Sequence, residues 1–340
     1  MSKSFLIGFG LLAIVTTILQ FCPLPISFNL LCFSLVPIYI GSMRSRKLSP
    51  FYHGSNEEEQ EIEPLDAAEA LRFPLVAAAV LVGLYVCIKY INPELVNFLL
   101  SIYFLIIGIY CLKSYIYIYF KNVKYCESTF KWTKTICIPY FVPKPEILEV
   151  TKQDIISYLI ATPVGLLYIF TKNWVLNNVF GIAFTIHAIE NMPLGSFKVG
   201  YGLLAGLIVY DVFFVFGTDI MITVAKSIDG PIKLLFPKAT GDFSMIGLGD
   251  IILPGIFIAL ALRYDLFREN KKEMKEQKLY FFTTVAGYAI GILMTNLAMV
   301  LMEKEQPALL YLVPMCLLST GVMALIKKEI PMLWKYKEGE

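Results

Sequence analysis

Residues Met245–Gly255 read MIGLGDIILPG, and residues Leu207–Gly217 read LIVYDVFFVFG. Each stretch sets a single aspartate inside an apolar run. Outward from them, the 340-residue chain is 57% hydrophobic and only 16% charged. Soluble domains are about half apolar and about a quarter charged. The excess falls in blocks of about 17–25 residues, the length a helix needs to cross a bilayer. The fold class expected is an all-α polytopic membrane protein. Nine main spans are read at 25–42, 74–90, 96–119, 154–170, 175–190, 199–218, 245–263, 280–301 and 307–326. A further apolar stretch, Phe5–Leu19 behind Lys3, suits a signal peptide or an extra helix near the membrane, with no clean cleavage site after it.

The organisation expected is an N-terminal apolar segment at 1–24, a five-helix scaffold at 25–190, four site-bearing helices at 191–330 and a tail at 331–340. Three connections are long. Gly41–Phe73 carries the acidic run NEEEQEIEP, Lys121–Lys152 is rich in lysine, and Arg263–Lys278 mixes both signs. All three read as solvated connectors. Lysine and arginine set orientation. Loops after the odd-numbered spans, with the tail, hold about 21 of the 29 basic residues. They belong in the cytosol, which puts the start of span one outside. Lys89 reads as snorkelling to the outer interface, Lys113–Phe120 (KSYIYIYF) as an interfacial tyrosine belt, and His187 with Glu190 as meeting interfacial water.

Net charge is +2 and no basic patch interleaved with aromatics is present, so nothing points to nucleic acid. The seven cysteines show no CxxC or metal spacing, and His53 and His187 are too few for a multi-histidine metal site. No metal and no cofactor are expected.

A carboxylate at bilayer depth costs several kcal/mol, roughly, and is a functional hypothesis by default. The bland alternative is a protonated aspartic acid bonding a neighbouring helix. Two aspartates strain that alternative. Asp211 lies 13 residues after Lys198 and Asp250 lies 13 before Arg263, on antiparallel spans. At helical rise both are about 20 Å from the cytosolic edge, so they can face each other. Two carboxyls a few ångströms apart cannot both ionise, so such a pair shares one proton. One can then act as base toward a water while the other donates to a scissile carbonyl. Gly247 and Gly249 strip side chains from beside Asp250 and let the segment leave helical geometry. Pro307, in QPALLYLVP, starts a helix and leaves irregular backbone before it. At membrane depth such backbone belongs beside a cavity, and an unwound substrate could pair with it as an added strand.

YD, GLGD and QPALLYLVP together resemble the intramembrane aspartyl proteases of the presenilin and signal peptide peptidase family. Ile208–Lys226, Ile232–Pro237 and Gly247–Arg263 are similar to its signal peptide peptidase branch, and weaker similarity runs through Phe73–Tyr85, Leu99–Phe104 and Trp174–Phe184. The resemblance implies a presenilin-like fold of nine spans, with the N-terminus lumenal and the C-terminus cytosolic. It makes Asp211 and Asp250 the catalytic pair. Gly247, Leu248, Gly249, Gln306, Pro307, Ala308 and Leu309 would then shape the site and engage substrate, while Tyr210 either bonds within the site or packs. Substrates would be transmembrane peptides in the lipid bilayer, remnant signal peptides and type II membrane segments, cut in the endoplasmic reticulum. Homo-oligomerisation is left open. Thr218–Ser244 is short, unlike the long cleavable loop of presenilins. The chain has no Asn-x-Ser/Thr sequon and its tail WKYKEGE has no dilysine signal, both departures from relatives. Asp219 and Asp242 read as loop carboxylates. Two rival readings are a transporter or cation leak using the aspartates as ion ligands, and a protein that only holds membrane segments.

Overall fold

The computed structural model describes residues 26–49, 64–121, 131–138, 142–237, 243–272, 278–302 and 306–338. Phe5–Leu19, His53, the acidic run up to Glu63 and Asp242 lie outside the described residues. The elements in order are α1 (Ile26–Ser45), α2 (Ala67–Tyr90), α3 (Pro93–Lys121), a hairpin of β1 (Lys131–Ile138) and β2 (Val142–Thr151), α4 (Lys152–Thr171), α5 (Trp174–Asn191) and α6 (Phe197–Phe216). Then come α7 (Ile220–Ser227), a hairpin of β3 (Lys233–Pro237) and β4 (Phe243–Gly247), α8 (Gly249–Lys272), α9 (Leu279–Met302), α10 (Leu309–Ile326) and α11 (Ile330–Lys335).

Each of the nine expected spans overlaps one helix, from α1 to α6 and from α8 to α10. Six of these, α2, α3, α4, α6, α9 and α10, are long and apolar enough to cross a membrane. α8 is the central element. Residues 256–262 of it are buried without a break, and a helix apolar all round is one enclosed by protein or lipid. Here protein encloses it: α1, α5, α6, α9 and α10 all pack against it. The outward faces of α2, α3 and α4 carry exposed Leu75, Val80, Leu99, Ile106, Leu159 and Phe170, as lipid-facing helices should. α9 and α10 approach closely because a Cβ at Gly287 would stand 2.6 Å from the Met315 carbonyl.

Several connectors prove structured. α2 begins at Ala67 rather than 74, because Asp66 and Glu69 form a capping box: Glu69 N–H donates to Asp66 at 2.8 Å, and Asp66 N–H donates back to Glu69 at 3.2 Å. The lysine-rich connector contains the β1–β2 antiparallel hairpin. Span seven begins at Gly249, since Phe243–Gly247 pairs antiparallel with Lys233–Pro237. The mixed-charge connector is helical as far as Lys272.

That extension and the tail lock together. Arg263, fully buried, pairs with Glu338, whose N–H donates to the Gly195 carbonyl at 2.9 Å. Burial pushes the Glu338 carboxyl up, and Arg263 opposes the shift. Arg268 bonds Glu329 at 2.7 Å. Asp265 accepts from the Tyr280 and Phe281 N–H groups at 3.3 and 2.9 Å, capping α9 from another helix. Glu190 does not meet interfacial water; it pairs with Arg44 at 2.7 Å, both nearly buried. Arg44 also lies over the ring of Tyr115. Tyr115 leaves the supposed belt too, for it is buried and donates to the Ala183 carbonyl at 3.1 Å.

Candidate active site

Asp211 stands near the end of α6 and is 2% exposed. Asp250 is in the first turn of α8 and remains partly exposed. The two carboxyls are within electrostatic reach of each other. Both helices are unbroken between the aspartates and the depth markers Lys198 and Arg263. Glu338 ties Arg263 on α8 to the backbone beside the start of α6.

The third motif reaches the first directly. Gln306 and Pro307 are non-helical, Ala308 is in a turn and α10 starts at Leu309. The first N–H groups of a helix have no partner within it. Leu309 N–H donates to Asp211 Oδ2 at 3.0 Å, so the aspartate caps α10 from another helix. Pro307 and Leu309 are buried, while Gln306 and Ala308 are half-buried; Gln306 accepts from the Tyr311 hydroxyl at 3.2 Å. Each carboxyl thus lies at the N-terminal end of a helix, where the backbone dipole favours negative charge.

GLGD is the joint between strand and helix. Gly247 ends β4, and its N–H is turned toward the Asp250 carboxyl. A Cβ at Gly247 would stand 3.3 Å from Asp250 Oδ2. Leu248 is buried and donates to the Ile232 carbonyl at 2.9 Å, closing the hairpin; Gly249 is exposed and opens α8. Tyr210 packs its ring on Phe214 at 4.9 Å. Asp219 is exposed beside α7, apart from these motifs.

Spacing alone misses two contributors. Asn178 on α5 bonds both backbone groups of Leu235, each at 2.8 Å, and Asn177 bonds the Lys233 carbonyl at 2.8 Å. The outer edge of β3 is therefore covered. Adjacent asparagines inside an apolar span, WVLNNVF, were the available signal. Leu235 turns both backbone groups away from β4, so its partner Met245 turns its own away from β3. Gly247, two residues on, shares that outward edge. That edge of β4, which has no backbone partner among the described residues, is thus the edge turned toward Asp250. The second contributor, Tyr288 on α9, donates from its hydroxyl to the Asp250 carbonyl at 3.2 Å. Among the described residues, no cluster of three or more His, Cys, Asp or Glu is gathered that could hold a metal. Two acids beside an open strand edge can hold a water and an extended peptide together.

The sequence matches the family model for signal peptide peptidase over residues 57–340, which includes all three motifs. It is 37% identical to the signal peptide peptidases of Homo sapiens and Mus musculus over 322 residues, 91% of this chain and 82% of each relative. It is also 42% identical over 206 residues to Intramembrane protease 2 of Caenorhabditis elegans, 56% of this chain and 44% of that protein.

Proposed function

The chain belongs to the signal peptide peptidase family of intramembrane proteases, and on that premise we propose that Asp211 and Asp250 are its catalytic dyad. The observation that carries this is the bond from Leu309 N–H to Asp211. It joins two motifs 98 positions apart at one carboxyl, and GLGD supplies the other. One carboxylate takes a proton from a water, which attacks the scissile carbonyl carbon. The other carboxyl donates its proton to the carbonyl oxygen. The tetrahedral intermediate collapses as the amine leaves with a proton, giving a new carboxyl and a new amine.

A helical substrate hides its amides, so it must be extended before attack. The outward N–H and C=O of Met245 offer it a strand to pair with, alongside Asp250. Gly247, Leu248 and Gly249 shape one wall, and Gln306, Pro307, Ala308 and Leu309 the other. The substrates are remnant signal peptides and type II membrane segments. The setting is the endoplasmic reticulum membrane, crossed nine times with the N-terminus lumenal and the C-terminus cytosolic.

The test is cleavage of a signal-peptide substrate by detergent-solubilised protein. Wild type cuts, and an aspartyl protease inhibitor that mimics the transition state blocks it. Asp211→Ala and Asp250→Ala protein, correctly folded, does not cut. Cutting by either variant would sink the dyad.

A further inference from the structure

Asp250 is the second residue of α8, and Pro254 lies four residues further along the same helix. The carbonyl of residue i in an α-helix accepts the N–H of residue i+4. Pro254 has no N–H, and its ring pushes the carbonyl of residue 250 aside. The Asp250 carbonyl is thereby denied its helical donor. Tyr288, fully buried on α9, sends its hydroxyl to that carbonyl. Ser34 on α1 lies beside the same phenol, its own hydroxyl donating to the carbonyls of α1.

We propose that Tyr288 is a positioning residue for the reaction: it supplies the hydrogen bond that Pro254 withholds from the Asp250 carbonyl, and so holds the Asp250 carboxyl toward Asp211. The inference rests on the catalytic role assigned to Asp250. The carboxyl springs from the same Cα as that carbonyl, and its far end lies close against Gly247. Fixing the peptide between residues 250 and 251 fixes the direction of the side chain. Without the phenol, the first turn of α8 is free to rotate about the proline, and a displacement of about 1 Å can cost roughly a hundredfold in rate.

The proline makes the idea testable, because alanine at 254 restores the missing N–H. Steady-state cleavage of a signal-peptide substrate is measured in detergent for wild type, Tyr288→Phe, Pro254→Ala, the Pro254→Ala/Tyr288→Phe double variant and Asp250→Ala, with thermal unfolding of each. Tyr288→Phe keeps the ring and removes only the donor. It is expected to lower kcat about tenfold, with KM within about twofold of wild type. In the Pro254→Ala background the same change is expected to lower kcat less than about twofold. An equal loss in both backgrounds overturns the proposal, as does full activity of Tyr288→Phe beside an inactive Asp250→Ala. Unfolding of Tyr288→Phe in both backgrounds also overturns it, because Tyr288 would then support the fold at large. Unfolding that Pro254→Ala rescues supports it. Cleavage by Asp250→Ala overturns the dyad itself, and this inference with it.

Discussion

At Gly247 the geometry leaves no room on the side turned to Asp250. A methyl group there would press on the carboxyl at 3.3 Å, tighter than ordinary contact. Gly247→Ala is therefore expected to lower cleavage by about 10–100-fold through displacement of the acid, with the unfolding temperature nearly unchanged. Gly202 on α6 is the comparison, since a Cβ there meets nothing within 4 Å. Gly202→Ala should cleave like wild type and gain about 0.5–1 kcal/mol of helix stability. Parallel cleavage and unfolding measurements on the two variants check both statements. Single residues were legible where lipid makes them expensive. Asp211 and Asp250 stood out because a carboxylate has no ordinary place in an apolar span. Glu190 was misread because its partner Arg44 is 146 positions away in the chain and only the fold brings them to 2.7 Å. Tyr288 had a readable cause in Pro254, but its own position on α9 carries no mark.

The elements were legible as helices and poorly legible as strands. Long apolar runs announced α2, α3, α4, α6, α9 and α10. KLLFP and FSMIG are short apolar runs, which periodicity cannot assign between strand and buried helix. β4 was absorbed into span seven for that reason, and with it the strand edge beside Asp250. If that edge pairs with substrate, a proline there removes a donor the hairpin itself does not use. Met245→Pro should fold with its β3–β4 pairing intact, yet lose at least about tenfold in kcat/KM for want of the substrate-facing N–H. Wild-type kcat/KM in that variant would argue that substrate is held elsewhere. Asn178→Ala acts on the opposite edge. It deletes two hydrogen bonds to Leu235, so a stability loss of about 1–3 kcal/mol is expected by thermal unfolding. Cleavage should fall as well, because β4 leads directly into Asp250.

The molecule as a whole is organised around one enclosed helix. α8 begins at the acid, passes through the core and ends in a charged network with the tail. The tail read from sequence as a free cytosolic end, because KEGE carries no pattern that foretells burial. In the fold, Glu338 lies against the wholly buried Arg263. Breaking one side of a buried pair leaves a charge without compensation, at about 3–5 kcal/mol. Glu338→Gln should lower stability on that scale in a denaturant titration in micelles, although the residue lies at the far end of α8 from Asp250. The claim on which the rest depends is that Asp211 and Asp250 work as one unit on one water. Single-turnover cleavage rates of Asp211→Asn, Asp250→Asn and the double variant test it most directly. Groups that act as a unit are strongly non-additive. Each single variant is expected to fall to the same residual rate as the double variant. A single variant that retains substantial activity, or a double variant whose loss is the product of the two, would contradict the account.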